Sequence, residues 1–524
     1  MHTVKKHEHS WLHLINASYR IFRGLSKPTH MKNPVRNLMN NLLCLMLVFL
    51  AAEATSQVPR PAQLPKEEKI SGAPKYDKES QRIFNRFTLA IRKLEGYRVD
   101  QLESGASYIP DQLLVWYPES ELDKIQSVHN KGTQIFGNNF SVRKTCGCEG
   151  KYQIELYEIK GIDGNEKGNP GSSDAAKDLG IKEEDQQDNH YLLPYLPSAL
   201  NPWAQRFNAM PQNFTVNASS KQTTPITIAV LDTGIDFRYQ DKTVDGEPQL
   251  VFWENVDKVN GKEDEADDPF CLIDDVIGWD FVNNDNNPMD DHSHGTHISG
   301  IIAEQLRKNE PDVNYQLMAV KVLDENGVGN TFDAICGILY AAEKGAKVIN
   351  ASWGYYGGSE KLLQRAIRYA GSKGAIFINS AGNERADIAV TKYYPAEYAL
   401  LGQNNIRTLL FVGALNQSGT LWQSSNIRTE GIYQDGFIAT PGENIASLIP
   451  FHLQGKVSEF KSGTSMAAPV MSALVAKGYH KYPSADPQNI RSNIITYIKN
   501  NVQPIPIKRY GNIYPYYPVQ WLNF

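Results

Sequence analysis

The chain has 524 residues, more than one ordinary domain needs, and 41% of them are hydrophobic, enough for a large core. Its 53 Lys and Arg against 58 Asp and Glu leave a formal charge of -5. That balance excludes the basic footprint of a nucleic-acid binder and any strong acidic field, so charge names no partner.

In chain order, the first segment reads as a leader. Leu42 to Ala52 is apolar, but at roughly 11 residues it falls short of the about 20 that a membrane span needs. Lys32 and Arg36 precede it and Ala52-Glu53-Ala54 closes it, the pattern of a signal peptide whose removal leaves Thr55 first. A buried apolar helix is the competing reading. Met31 stands just before the basic flank and offers a second start, and His2, His7, His9, His13 and His30 ahead of it carry no ligand spacing. Residues 1–54 are therefore set aside, and no membrane span is expected after their removal. Cys44 leaves with them, so Cys146, Cys148, Cys271 and Cys336 remain. An even number fits a chain exported to a periplasm or the extracellular space, and four cysteines leave three pairings open. Cys146-Gly147-Cys148 lacks the two-residue spacer of zinc and thioredoxin motifs, which favours a structural role.

Gln57 to Pro74 is rich in Pro, Lys, Glu and Ser, a flexible lead-in. Ile83, Phe84, Phe87, Ile91 and Leu94 then recur at helical spacing before Gly96, which predicts an amphipathic helix over about 77 to 95. An apolar run (Leu113 to Tyr117), a helical pattern (Glu119 to Asn130) and an alternating segment (Tyr152 to Tyr157) complete a small α/β domain within 55–160. Residues 161–190 are polar with almost no large apolar side chains, the composition of a linker. From 191 to 524, strand-like runs (Ile226 to Leu231, Leu317 to Leu323, Lys347 to Ala351, Ala375 to Asn379, Leu409 to Val412) alternate with helical ones (His294 to Leu306, Thr331 to Lys344, Glu360 to Gly371, Thr464 to Tyr479). The fold class is α/β, a parallel sheet with helices on both faces, whose reactive groups should gather at the carboxyl ends of the strands.

Four positions there invite chemistry, and each has a plainer explanation. Asp232 ends an apolar strand before Thr233-Gly234; an acid there is costly without a hydrogen-bond donor, yet most such residues are turn formers. His294 lies in His292-Ser293-His294-Gly295-Thr296-His297 at the mouth of a helix and can act as a base at neutral pH. A zinc site on His294 and His297 has the wrong spacing, three instead of four. Asn383, in Ser380-Ala381-Gly382-Asn383 after an apolar strand, is a turn signal or an amide donor. Ser465, in Gly463-Thr464-Ser465-Met466-Ala467-Ala468-Pro469, opens a helix, where serine is a common cap but where its own N–H is also free to bind an oxyanion.

Taken together in the order Asp, His, Asn, Ser, these segments resemble the subtilisin-like serine proteases, over roughly residues 200 to 500. The resemblance implies that Ser465 attacks a scissile carbonyl, His294 is the general base, Asp232 orients it, and Asn383 donates to the oxyanion. It implies a polypeptide substrate held as an extended strand between Ser352-Trp353-Gly354 and Gly327-Val328-Gly329, with Gly354, Ala381 and Gly382 walling the primary pocket. Tyr393 would make that pocket shallower, whereas Glu384 at its rim would favour a basic group. The 55–160 domain resembles the propeptides of such enzymes, which gives a second partner, the chain's own propeptide, and a self-processed zymogen. No cofactor is required for catalysis, though relatives often bind structural calcium; Glu263 to Asp268, and Asp285 with Asp290 and Asp291, are the acidic loops that could supply oxygens. Two other functions share the residues: a transpeptidase or macrocyclase using the same acyl-enzyme, and a non-catalytic binding scaffold.

Overall fold

The computed structural model describes residues 77–101, 107–147, 151–161, 172–194, 216, 224–244, 247–255, 272, 274–399, 405–429, 437–509 and 512–520. The leader and signal segment, Cys148, Cys271 and the Glu263 to Asp268 loop lie outside them. Among the described residues no helix is long and apolar enough to cross a membrane.

The N-terminal part begins with helix α1 (Lys78–Arg92), capped by Asp77, whose carboxylate accepts from the Ser80 N–H. Its apolar face, Ile83, Phe84, Phe87 and Ile91, is buried. Strand β1 (Ser107–Pro118), helix α2 (Ile125–Phe136) and strands β2 (Phe140–Cys146) and β3 (Tyr152–Ile159) follow. A six-residue 3-10 segment, Glu119–Lys124, precedes α2, so the α-helix expected from Glu119 starts at Ile125.

Residues 161–190, given above as a linker, are a correction. Helix α3 (Ser172–Leu179) lies within that stretch and strand β4 (Gln186–Leu192) begins in it, and β4 pairs antiparallel with β1. Composition hides both for physical reasons. Helix α3 buries mostly small residues, Ala175 and Ala176, alongside Leu179. Strand β4 buries polar side chains and satisfies them: Gln187 accepts from the Leu362 N–H, and Asn189 from the Phe332 N–H.

The larger sheet runs in the order Ile505–Arg509, Asn512–Pro518, Phe437–Pro441, Leu409–Leu415, Ile376–Ser380, Val348–Ala351, Ile226–Asp232, Tyr315–Lys321, Gly278–Asp280. All its pairings are parallel except the edge hairpin of the first two. Because side chains alternate along a strand, Ile228 and Val230 face one core and Ala229 and Leu231 the other. Helices α4 (His294–Asn309) and α7 (Thr464–Lys481) cover the first face; α5 (Thr331–Glu343) and α6 (Lys361–Ser372) cover the second. The second core continues without a break into the N-terminal part through Leu114, Trp116, Ile154 and Leu156. The short strand β5 (Gly329–Asn330) joins the N-terminal sheet by pairing with β4.

Candidate active site

Asp232 is the last residue of its strand and is fully buried. Its backbone carbonyl accepts from the N–H groups of Val322 and Leu323, and one carboxylate oxygen, Oδ1, accepts from the Thr233 N–H (2.8 Å) and from His294 Nδ1 (2.7 Å). That last bond fixes the proton of His294 on Nδ1 and leaves Nε2 as the basic nitrogen. Helix α4 can approach this closely because Gly295 has no Cβ; one there would stand 2.1 Å from the Gly234 carbonyl oxygen. Thr233 ties the two segments, its hydroxyl accepting from the Gly295 N–H and donating to Asp290.

Ser465 is the second residue of α7, where its own N–H has no intrahelical partner. Four residues on, Pro469 has no N–H to give the Ser465 carbonyl. The Ser352 hydroxyl takes that place at 3.0 Å, backed by Asn350 and then Ser472 in a buried chain of hydrogen bonds. The Ser465 hydroxyl lies 3.1 Å from the Ser352 carbonyl oxygen and 3.3 Å from that of Pro194. Asn383 reaches the same Pro194 oxygen with Nδ2 (3.4 Å). Its amide is oriented for this because Oδ1 accepts from the Thr464 N–H and hydroxyl.

Pro194 is at the end of a strand that the sequence did not disclose. Leu192 pairs with Gly329, and Leu193 exchanges two 3.0 Å hydrogen bonds with Gly354. The chain's own residues 191–194 therefore lie between the two segments expected to hold an extended peptide. Gly327, at φ +72°, faces His292 and the Pro194 ring. Of the expected pocket residues, Gly382 lines the opening with Phe87, Leu193, Tyr356, Glu384 and Tyr393. Ala381 does not: it is buried among Leu415, Ile427, Phe437 and Tyr516. The Tyr393 ring fills the space beside Gly354, where a Cβ would meet it at 2.4 Å. Helix α1 closes the opening from above, Phe87 edge-on to Tyr356 and Arg86 bonded to Glu384 at 2.5 Å. Burial pushes the Glu384 carboxyl up, against the pull of Arg86.

Among the described residues, the acidic side chains of Asp290 and Asp291 near His294 already have protein partners. Asp290 accepts from the Thr233 hydroxyl and the N–H groups of His292, Ser293 and Thr296. Asp291 is bonded at 2.7 Å to the buried ammonium of Lys321, which also donates to the carbonyls of Thr233 and Leu323. A resident lysine and neutral donors thus hold the carboxylate of Asp290 and one oxygen of Asp291. His297 gives its Nε2 to the carbonyls of Ile445 and Glu459, and burial pushes its pKa down to about 3, so it is a neutral packing residue.

The fold and this constellation define a subtilisin-like α/β protein. Residues 223–512 match the model of the Subtilase family, and the chain belongs to that family. It is 33% identical over 254 residues to "Thermophilic serine proteinase" of Bacillus sp. (strain AK1), covering 48% of this chain and 51% of that one. It is 29% identical to "Subtilisin-like protease 1" of Plasmodium falciparum, covering 53% and 40%, and 34% identical to "Thermitase" of Thermoactinomyces vulgaris, covering 38% and 65%. The chain thus spans about half the length, or less, of the first two relatives.

Proposed function

We propose that the chain is a secreted serine endopeptidase made as a self-processed zymogen, with Ser465 as nucleophile, His294 as base, Asp232 as its orienting group and Asn383 as oxyanion donor. The observation that carries this reading is the Pro194 carbonyl oxygen, on which the Ser465 hydroxyl and the Asn383 amide converge at the end of a strand laid through the cleft. Ser465 Oγ attacks such a carbonyl while His294 Nε2 takes its proton and passes it to the leaving amine; Asp232 holds the ring and stabilises the imidazolium. The oxyanion receives hydrogen bonds from Asn383 Nδ2 and the Ser465 N–H, and water then releases the acyl group. Backbone pairing to Gly329 and Gly354 supplies the grip on the substrate, which suits polypeptides of varied sequence.

The cut that matures the chain falls at the end of the cleft strand. The Pro194 carbonyl stands beside Ser465, one residue beyond Leu193, which pairs antiparallel with Gly354. N-terminal sequencing of the secreted large fragment should read Tyr195 or Leu196 as its first residue; a start more than a few residues away would contradict this placement. Export is supported by the leader-like segment and by a disulfide between Cys146 and Cys336.

Asn383→Ala is expected to fold and to lower kcat by about 10² to 10³ with KM little changed, as befits a donor used mainly in the transition state. Steady-state kinetics on a synthetic peptide, with mass spectrometry of the products, tests this. Hydrolysed ends support the endopeptidase, and joined ends would support a ligase.

The hold of the N-terminal domain should depend on pH through His190. Burial would lower the pKa of this imidazole, but Glu360, 2.9 Å away across the interface, more than offsets it and holds it above its ordinary value. A group whose pKa is raised in the folded state stabilises that state at low pH and loses the contribution as pH rises through the folded value. The uncut Ser465→Ala chain should therefore melt at a lower temperature as pH is raised through and beyond the ordinary histidine range near 6.5, and a His190→Gln variant should flatten that dependence.

A further inference from the structure

The disulfide joins the end of β2 in the N-terminal domain to helix α5 in the catalytic domain, 190 residues apart in sequence. The cleft strand lies between them in the chain. Before any cut the bond merely closes a loop. After a cut beyond Leu193 it is, among the described residues, the covalent link between the two pieces.

We propose that Cys146–Cys336 makes the N-terminal domain a tethered inhibitor of its own catalytic domain, one that a dithiol must release before the cleft opens to other polypeptides. The proposal rests on the self-processing reading above. An untethered domain would dissociate on dilution. A tethered one faces the cleft at an effective concentration in about the millimolar range whatever the dilution, so its strand rebinds faster than substrate arrives. The tether sits beside contacts that bring the strand back in register. Lys144, two residues from Cys146, bonds Asp333, three residues before Cys336, at 2.7 Å, and Arg365 bonds Asp185 at 2.9 Å.

Burial sets the order of events. Cys336 is fully buried and Cys146 is 5% exposed, so a reductant must wait for the interface to part. The cut, which frees the strand end, precedes reduction. In the release step a thiolate of the dithiol attacks one cysteine sulfur to give a mixed disulfide. The other cysteine leaves as a thiolate; the reagent's second thiolate then attacks the reagent's own sulfur in the mixed disulfide, expelling the remaining cysteine thiolate and closing the reagent as a cyclic disulfide. Two electrons and two protons pass to the protein, leaving Cys146 and Cys336 as thiols.

The test uses the secreted full chain, the Cys146→Ala/Cys336→Ala double variant and the Ser465→Ala chain. Wild type should run as one species without reductant and as two fragments with dithiothreitol, and its peptide hydrolysis should rise about 10-fold or more on reduction at nanomolar concentration. The double variant should give two separable fragments without reductant and an activity that rises on dilution but not on reduction. Fragments that part in unreduced wild type, fragments that stay joined in the double variant, or hydrolysis indifferent to reduction would each overturn the tether. Should the double variant not fold, reduction of the wild type alone still decides. Wild type that stays one polypeptide under reduction contradicts the self-processing reading instead; a foreign protease site inserted within 195–215 of the Ser465→Ala chain then lets the same gels judge the tether independently.

Discussion

Replacing Ser465 by Ala is expected to leave the chain uncut and to lower peptide hydrolysis by about 10⁶-fold, some 8 kcal/mol of transition-state stabilisation. That figure is the one known for a subtilisin whose nucleophile is removed, not one calculated from these distances. Its logic applies here on the roles proposed above, in which the parts act as a unit. Without the hydroxyl, the His294 base has no proton to take, and Asp232 orients an idle ring. What survives is binding of the strand between Gly329 and Gly354 and the Asn383 amide, which alone give roughly 10³ to 10⁴ over water. The fold should be untouched, since the helix start is held by the backbone of Ser465, not its hydroxyl: the carbonyl accepts from Ser352 in either case. Reducing gels of the secreted product and peptide kinetics check both halves. An alanine variant that matures as wild type does would mean that another protease makes the cut.

Asp232→Asn should cost about 10⁴-fold in kcat at neutral pH while preserving the fold. The carboxylate oxygen accepts from both His294 Nδ1 and the Thr233 N–H. An amide can keep both bonds only through that one oxygen and without the negative charge that stabilises the imidazolium; turned over, it sets its NH₂ against the imidazole. In the turned amide the ring is driven to carry its proton on Nε2, the nitrogen that must be free to take one from Ser465. A loss confined to KM, or a variant nearly as active as wild type, would argue that Asp232 is a structural acid only. The buried Lys321 ammonium on the neighbouring strand, 2.9 Å from the Thr233 carbonyl, keeps this turn in place in the variant.

The residues proposed for this centre stood out in the sequence because each sits where a regular element ends. Asp232 closes an apolar strand, His294 and Ser465 open helices flanked by glycine, and the alternation of strands with helices implies that such ends meet. The cleft strand was not legible. Gln187, Asn189 and His190 are polar, and their burial is made possible by partners some 140 to 175 residues away in sequence, such as Thr331 and Leu362; no local pattern encodes that. Ala175 and Ala176 likewise read as neutral composition until the sheet covers them. The cysteine pairing was open for the same reason, since it joins two units that the sequence had separated by a linker. The pocket was half legible. Tyr393 and Glu384 stand at it as their positions implied, whereas Phe87 and Arg86 arrive from the N-terminal helix, and Ala381 turns into the core.

The most direct test of the central claim is covalent labelling with a serine-directed fluorophosphonate. The cleft strand should shield Ser465 in the intact chain. After the N-terminal domain is released, peptide mapping should find the label on Ser465 alone, with labelling lost in His294→Ala. Labelling absent from the released catalytic domain, or placed on another residue, would contradict the account.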